Sequence, residues 1–259
     1  MLQQVFAYLH YLIKSIHLHG IHSPFVFQLE QEIINEKLPY YAFDEIETIR
    51  AKLLLTQKKI KINDLGAGSK RGKSDFKTIR QITKQSAKSP KHAQLLFRLA
   101  YHFKPKTILE LGTSFGISTA YLAKACPESK IISIEGSHEI AKVAEVNLEK
   151  LNVHNVKQII GNFDSELTAA AQELKQLDFV FFDGNHRKTP TLSYFKECLE
   201  LANEGSIFVF DDIHWSTEME SAWKAIKAHP KVRQSIDLFE VGLVFFKEDQ
   251  AEEHFTVYH

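Results

Sequence analysis

From about residue 107 the chain alternates between short runs rich in β-branched and aromatic residues and longer stretches with apolar residues at helical spacing. The pattern predicts strands at Thr107–Leu111, Lys130–Glu135, Val156–Ile160, Asp178–Asp183 and Ser206–Asp211. Between and after them it predicts helices near Ile117–Ala125, Glu139–Leu151, Ser165–Gln176, Thr191–Ala202 and Met219–Ala228. Phe179-Val180-Phe181-Phe182 and Ile207-Phe208-Val209-Phe210 are apolar on both faces. That is the mark of parallel strands covered by helices on both sides, a doubly wound α/β sheet of Rossmann type. Two further β-rich runs, Val232–Phe239 and Leu243–Lys247, are joined by a short connection around Gly242. So short a link permits only an antiparallel hairpin.

Residues 1–92 read differently, and the expected division is a helical N-terminal extension or lid over 1–92 and an α/β domain over 93–259. Helical spacing covers roughly 2–18 and 43–58, with the turn-rich His19-Gly20-Ile21-His22-Ser23-Pro24-Phe25 between them. The first helix places Leu2, Val5, Phe6, Leu9, Leu12, Ile13 and Ile16 on one face, which predicts an amphipathic helix packed on the body. His10 and Lys14 interrupt it and no small-residue cleavage site follows, so it does not read as a secretory signal. No apolar stretch is long enough to span a membrane. The two cysteines, Cys126 and Cys198, form neither a disulfide framework nor a metal spacing, which suits a reducing, cytoplasmic setting.

The first predicted strand runs into Glu110-Leu111-Gly112-Thr113-Ser114-Phe115-Gly116 and then a helix. Glycines there let backbone approach a ligand, and a nucleotide-like ligand at the carboxyl end of a first strand is the usual arrangement in doubly wound sheets. The second strand ends in Glu135-Gly136, with Glu135 placed 23 residues after Gly112, where a carboxylate can accept both ribose hydroxyls. Together with the terminal hairpin, the segments ILELGTSFG, IISIEG, IIGNFD, LDFVFFDGNH and IFVFDDIHW resemble class I S-adenosylmethionine-dependent methyltransferases of the O-methyltransferase-like branch. HGIHSPFVF and LLFRL also look like an uncharacterised bacterial subgroup of that family. The resemblance implies a seven-stranded sheet whose last strand is antiparallel. It also implies a methionine-binding loop from Glu110 through Gly112, Thr113 and Ser114 to Gly116, a ribose contact at Glu135, and an adenine site at Asn162-Phe163-Asp164.

Asp183 ends the fourth predicted strand, and Asp211-Asp212 end the fifth. In this fold those ends are neighbours at the ligand edge, and converging carboxylates repel unless a cation or protons intervene. Oxygen ligands suit Mg²⁺, Mn²⁺ or Ca²⁺, and the set resembles the metal site of metal-dependent small-molecule O-methyltransferases. A cation at Asp183, Asp211 and Asp212 would lower the pKa of an acceptor hydroxyl. The alternative is that Asp183 only positions the cofactor while Asp211-Asp212 cap the next helix. The family's usual lysine is not evident, and His186, on the loop after Asp183, becomes the candidate general base, with His214 second. The Asp183-Gly184-Asn185-His186 sequence lacks the Pro-Pro-aromatic motif that family members acting on exocyclic amines carry. Neither cysteine is placed as a nucleophile for C5 methylation. A hydroxyl oxygen of a small molecule is therefore the expected acceptor.

Two weaker motifs add little. The Asp64–Ser74 stretch resembles a phosphate-binding loop, but Ala67 occupies the position where a Walker glycine is needed. His17, His19 and His22 cluster without a completing Cys or carboxylate. The net charge of zero conceals a basic first part, with 15 Lys+Arg against 8 Asp+Glu in residues 1–92, and an acidic remainder. Lys58–Lys91, including Lys70, Arg71 and Lys73, is the most basic run. It either docks on the acidic core or recruits an anionic acceptor. An RNA methyltransferase using residues 58–91, and a cofactor-binding module without catalysis, are the alternatives. Nucleic acid is the less favoured partner, and a homodimer is compatible with the sequence.

Overall fold

The computed structural model describes residues 2–17, 20–62 and 76–259. They divide into two compact units, one of residues 1–36 with 175–259 and one of residues 37–174. The chain opens with α1 (Leu2–Lys14) and α2 (Pro24–Leu29), which continues as a π-helical turn over Glu30–Ile34. Ser23 caps α2 and Pro24 fills its first position, where a missing N–H costs nothing.

The continuous unit holds α3 (Tyr41–Leu55), the antiparallel pair β1 (Lys59–Lys61) and β2 (Phe76–Thr78), α4 (Ile79–Ser86) and α5 (Pro90–Phe103). A reciprocal capping box between Thr78 and Gln81 starts α4. There follow β3 (Thr107–Leu111), α6 (Ile117–Ala125), β4 (Lys130–Glu135), α7 (His138–Lys150), β5 (Val156–Ile160) and α8 (Phe163–Leu174). β3, β4 and β5 pair in parallel, with Leu111 beside Ile134 and Glu135 beside Ile160. The carboxyl ends thus lie level, so the loops after them share one edge.

The other unit resumes with β6 (Leu177–Phe182), α9 (Lys188–Leu199), β7 (Ala202–Asp211) and α10 (Thr217–Lys227). It closes with β8 (Gln234–Asp237), β9 (Val241–Phe245) and β10 (Glu253–Thr256). β6 and β7 are parallel, while β9 runs antiparallel to both β7 and β8, as the hairpin pattern requires. β10, parallel to β8, is additional to the seven expected strands. The core between β6, β7 and α9 is aromatic: Phe179, Phe181, Phe195, Phe208 and Phe210 are all buried, and Phe182 stacks on Phe210 at 4.4 Å. Each such burial contributes roughly 1.5–3 kcal/mol.

One detail corrects the sequence reading. The hairpin turn falls at Leu238–Glu240, with Phe239 in the left-handed region at φ 72, and Gly242 lies inside β9. Gly242 is needed for close approach, because a Cβ there would fall 2.7 Å from the Trp223 ring. That indole packs across the strand and donates to Asp237 Oδ2 at 3.3 Å. Gly242→Ala is therefore expected to destabilise the protein by about 1–3 kcal/mol through overpacking. A red shift of tryptophan emission should accompany the lower midpoint of urea unfolding. An unchanged midpoint would show that the indole moves aside freely.

Candidate active site

In the 37–174 unit the loop after β3 is built around a buried carboxylate. Glu110 is fully buried; its Oε2 accepts hydrogen bonds from the hydroxyls of Thr119 and of Ser133, the latter at 2.6 Å. Ser133 in turn bonds Thr113 Oγ1 at 2.5 Å, so four side chains form one polar chain between β3, β4 and α6. Burial raises the Glu110 pKa above the usual carboxylate value, against the opposing effect of the Ser118, Ser133 and Thr119 hydroxyls.

The end of β4 holds this loop in shape. Gly112 and Thr113 donate their N–H groups to the Ile134 carbonyl at 3.0 and 3.3 Å. Glu135 accepts the Ser114 N–H on Oε2 and the Ser137 N–H on Oε1, both at 2.9 Å, and Gly136 lies between. Ser114 itself is left-handed, at φ 47, and its hydroxyl lies 2.7 Å from that of Ser86 at the end of α4. Gly116, at φ 77, opens α6 in a conformation that L side chains avoid. After β5, Asn162 Oδ1 accepts the Asp164 N–H at 3.1 Å, so Asn162 caps α8, and the half-buried Phe163 begins it. The expected cofactor residues Glu110, Gly112, Thr113, Ser114, Gly116, Glu135, Gly136, Asn162 and Phe163 thus lie on three neighbouring strand ends of one unit.

The acidic ends of β6 and β7 belong to the other unit. Asp183, His186 and Asp211 each present a ligand atom within 4.8 Å of the others. Among the described residues this is the group whose spacing could hold a metal ion. It takes in His186, whereas the sequence grouped Asp212 with the two aspartates. His186 Nε2 lies 3.7 Å from Asp183 Oδ1 and 3.9 Å from Asp212 Oδ2, so two carboxylates approach the same ring nitrogen. Asp211 is buried and Asp183 nearly so. The loops that carry these groups turn on Asn185 and Asp212, at φ 52 and 54, residue types that tolerate the left-handed region. The site can therefore accept a proton, hold a divalent cation, or hold a cationic or hydrogen-bond-donating ligand.

His214 has different work. Its Nε2 lies 2.9 Å from Asp237 Oδ2, its Nδ1 lies 3.2 Å from Glu220 Oε1, and its ring stacks on Phe239. Burial disfavours its charge, but the hydrogen bonds and charges of Asp237 and Glu220 outweigh that, and its pKa is raised. With a carboxylate at hydrogen-bond distance from each ring nitrogen, His214 is less available than His186 to take a proton from a ligand. Phe239 carries this cluster onward, meeting Tyr8 edge-on at 4.9 Å and Tyr11 at 5.3 Å. Sequence spacing gives no sign of these contacts, which join α1 to the β8–β9 turn.

Both cysteines are buried and burial pushes both thiols up, so neither is a nucleophile. His17 rests against Tyr258 and His22 is exposed, while His19 lies outside the described residues. The Asp64–Ser74 loop with Lys70, Arg71 and Lys73 also lies outside them. No helix among the described residues is long and apolar enough to cross a membrane.

Residues 109–213 match the family model of a methyltransferase domain. The chain is 32% identical over 128 residues to the catechol O-methyltransferase of Niastella koreensis, covering 48% of this chain and 57% of the relative. It is 30% identical over 129 residues to that of Mycobacterium tuberculosis, covering 49% of this chain and again 57% of the relative. The chain thus spans little more than half the length of the curated relatives it matches. Among solved structures, the O-methyltransferase TomG from Streptomyces achromogenes, in complex with SAM, superposes with a TM-score of 0.55 at 23% identity. That match covers 62% of this chain and 82% of TomG, and it shows a shared Rossmann-like fold.

Proposed function

We propose that this chain, whose residues 109–213 match the family model of a methyltransferase domain, moves the methyl group of S-adenosylmethionine to a hydroxyl oxygen of a small molecule. The cofactor supplies an electrophilic methyl on a sulfonium, so the protein must orient it and remove the acceptor's proton. The loop from Glu110 to Gly116 would enclose the methionine portion, Glu135 would take the ribose hydroxyls, and Asn162 and Phe163 would flank the adenine. The Glu110 carboxylate and its hydroxyl partners hold the loop for this, and Glu135, already bound to two backbone N–H groups, is fixed in direction.

The observation that carries the acceptor side is the grouping of Asp183, His186 and Asp211. His186 would accept the hydroxyl proton, and Asp183 and Asp212, both within 4 Å of its Nε2, would stabilise the imidazolium that results. The same residues would fit a divalent cation: the two carboxylates, one buried and one nearly so, suit Mg²⁺ or Mn²⁺, while an imidazole in the set favours a transition metal over Mg²⁺. If bound, a cation would lower the pKa of the acceptor hydroxyl, and His186 would then be a ligand instead of the base.

Calorimetric titration of the purified protein with S-adenosylmethionine should give a micromolar or tighter dissociation constant. Incubation with methyl-labelled cofactor and cell extract should then yield a labelled small-molecule ether. A flat titration with folded protein sinks the reading, and label found only in RNA or protein replaces the acceptor class.

A further inference from the structure

Within the unit of residues 37–174 lies a cavity of about 360 Å³, walled by α3, β1, the start of α4 and α7. Its size falls at the lower end of the range for small-molecule sites. None of its lining residues is among those expected to hold the cofactor. Ile49, Leu53, Ile60 and Ile79 are buried and form an aliphatic floor. Val143 and Val146 add to that surface from α7, and Val146 is left 45% exposed. Hydrogen bonds fix both walls. The N–H groups of Ile79 and Arg80 donate to the carbonyls of Lys58 and Thr56, at 2.9 and 3.0 Å, and so tie the chain between α3 and β1 to the first turn of α4. On the α7 side Asn147 is held by its Nδ2, which donates to the Phe115 carbonyl at 3.0 Å.

The charge at this cavity has one prevailing sign. Lys52 from α3, Lys58 ahead of β1, and Lys142 and Lys150 from α7 all line it. Glu139 is the carboxylate among the described lining residues, and it lies 3.4 Å from Lys142. Among the described residues no carboxylate is within ion-pair distance of Lys52, Lys58 or Lys150. A lone exposed lysine is only a solvated charge. Three uncompensated lysines around an aliphatic concavity are a different arrangement. A ligand can bury a chain on the floor and keep an anionic head among the ammonium groups at the wet rim.

We propose that this cavity binds a small aliphatic anion, an acyl chain ending in a carboxylate, with the chain against the isoleucine, leucine and valine side chains and the carboxylate among Lys52, Lys58 and Lys150. RNA phosphates would also meet these charges, yet no aromatic ring among the described lining residues offers a base a stacking face. The inference goes beyond the methyl-transfer reading and stands whether or not that reading holds.

The test uses three probes of one chain length and different charge: octanoate, 1-octanol and octylammonium. Each is titrated by calorimetry into the full-length protein without cofactor. Octanoate should bind about tenfold or more tightly than octylammonium, with 1-octanol between them. Hexanoate should bind more weakly than octanoate, by up to about fourfold for each methylene lost. Lys52→Gln combined with Lys150→Gln, both at exposed positions, should weaken octanoate severalfold and leave 1-octanol unchanged. Val146→Ser should weaken octanoate and 1-octanol alike. Absence of octanoate binding at millimolar concentration, equal affinity for octanoate and octylammonium, or octanoate binding undiminished in the double lysine variant overturns the proposal. An oligouridylate that binds through the same lysines while octanoate does not would replace the occupant by RNA and overturn it as well.

Discussion

Glu110→Gln is expected to make the cofactor-free protein more stable and at the same time to cost most of its affinity for S-adenosylmethionine. In a fully buried carboxyl group with three nearby hydroxyls, burial works against the ionised form more than the hydroxyls favour it. Its pKa is raised by burial, so it contributes stability at pH below its unfolded value, and that contribution is lost as pH rises through the folded value. Glutamine keeps the shape and removes the charge, and the hydroxyls of Thr119 and Ser133 can reorient to suit it. The variant should thus match the wild type near the unfolded carboxyl pKa and exceed it increasingly toward pH 8. The expected gain there is about 1–3 kcal/mol, the ordinary desolvation cost of an incompletely satisfied buried group. For a protein of this size that is a rise of roughly 2–4 °C in melting temperature per kcal/mol. If Glu110 fixes the loop for the cationic cofactor, losing its charge should weaken binding on the order of tenfold or more, the scale of a charged hydrogen bond. Thermal melts across pH, with calorimetry on the same variant, check both halves. A variant that is stabilised but binds as before assigns Glu110 to the fold alone. One that is destabilised at every pH shows that the carboxylate is well solvated by its neighbours.

Glu110, at the end of β3 and just before the glycine loop, is among the residues that the sequence pattern places directly. β3, β4 and β5 fall on their expected residues because each apolar run is bounded by turn residues and has no competing period. β6 and β7 are legible for the same reason: Phe179–Phe182 and Ile207–Phe210 suit a strand buried on both faces and little else. The misses share a physical cause, which is structure set by partners distant in sequence. β10, Glu253-His254-Phe255-Thr256, has one large apolar residue and is a strand because β8 offers an edge. β1 has only Ile60 to bury and is held by its pairing with β2. Gly242 reads as a turn in sequence, yet the Trp223 ring is what requires it. In the site, Asp183 and Asp211 were legible as strand ends. The bond from His214 to Asp237, and the Tyr8–Phe239 corner, arise from tertiary packing, which no local pattern encodes.

With an acceptor in hand, Asp183→Asn should lower the methyl-transfer rate by roughly 10²–10⁴, the usual range for removing a positioned acid–base group or its support. Asp183 is expected to matter under either reading of the cluster, since it touches His186 and also completes the group with Asp211. His186→Gln and Asp211→Asn separate the two. If His186 is the base, His186→Gln loses rate most at neutral pH and recovers as pH rises, because hydroxide or an ionised acceptor takes over. Asp211→Asn then has a smaller effect, and a chelator has none. If a cation is held, Asp211→Asn and the chelator both abolish turnover, and added Mg²⁺ or Mn²⁺ restores the chelated enzyme. Under that reading His186→Gln raises the concentration of cation needed for half activity. Equal stability of the three variants in urea is the control, since Asp211 is buried and its loss could unfold β7. Full activity in Asp183→Asn would remove this cluster from the chemistry.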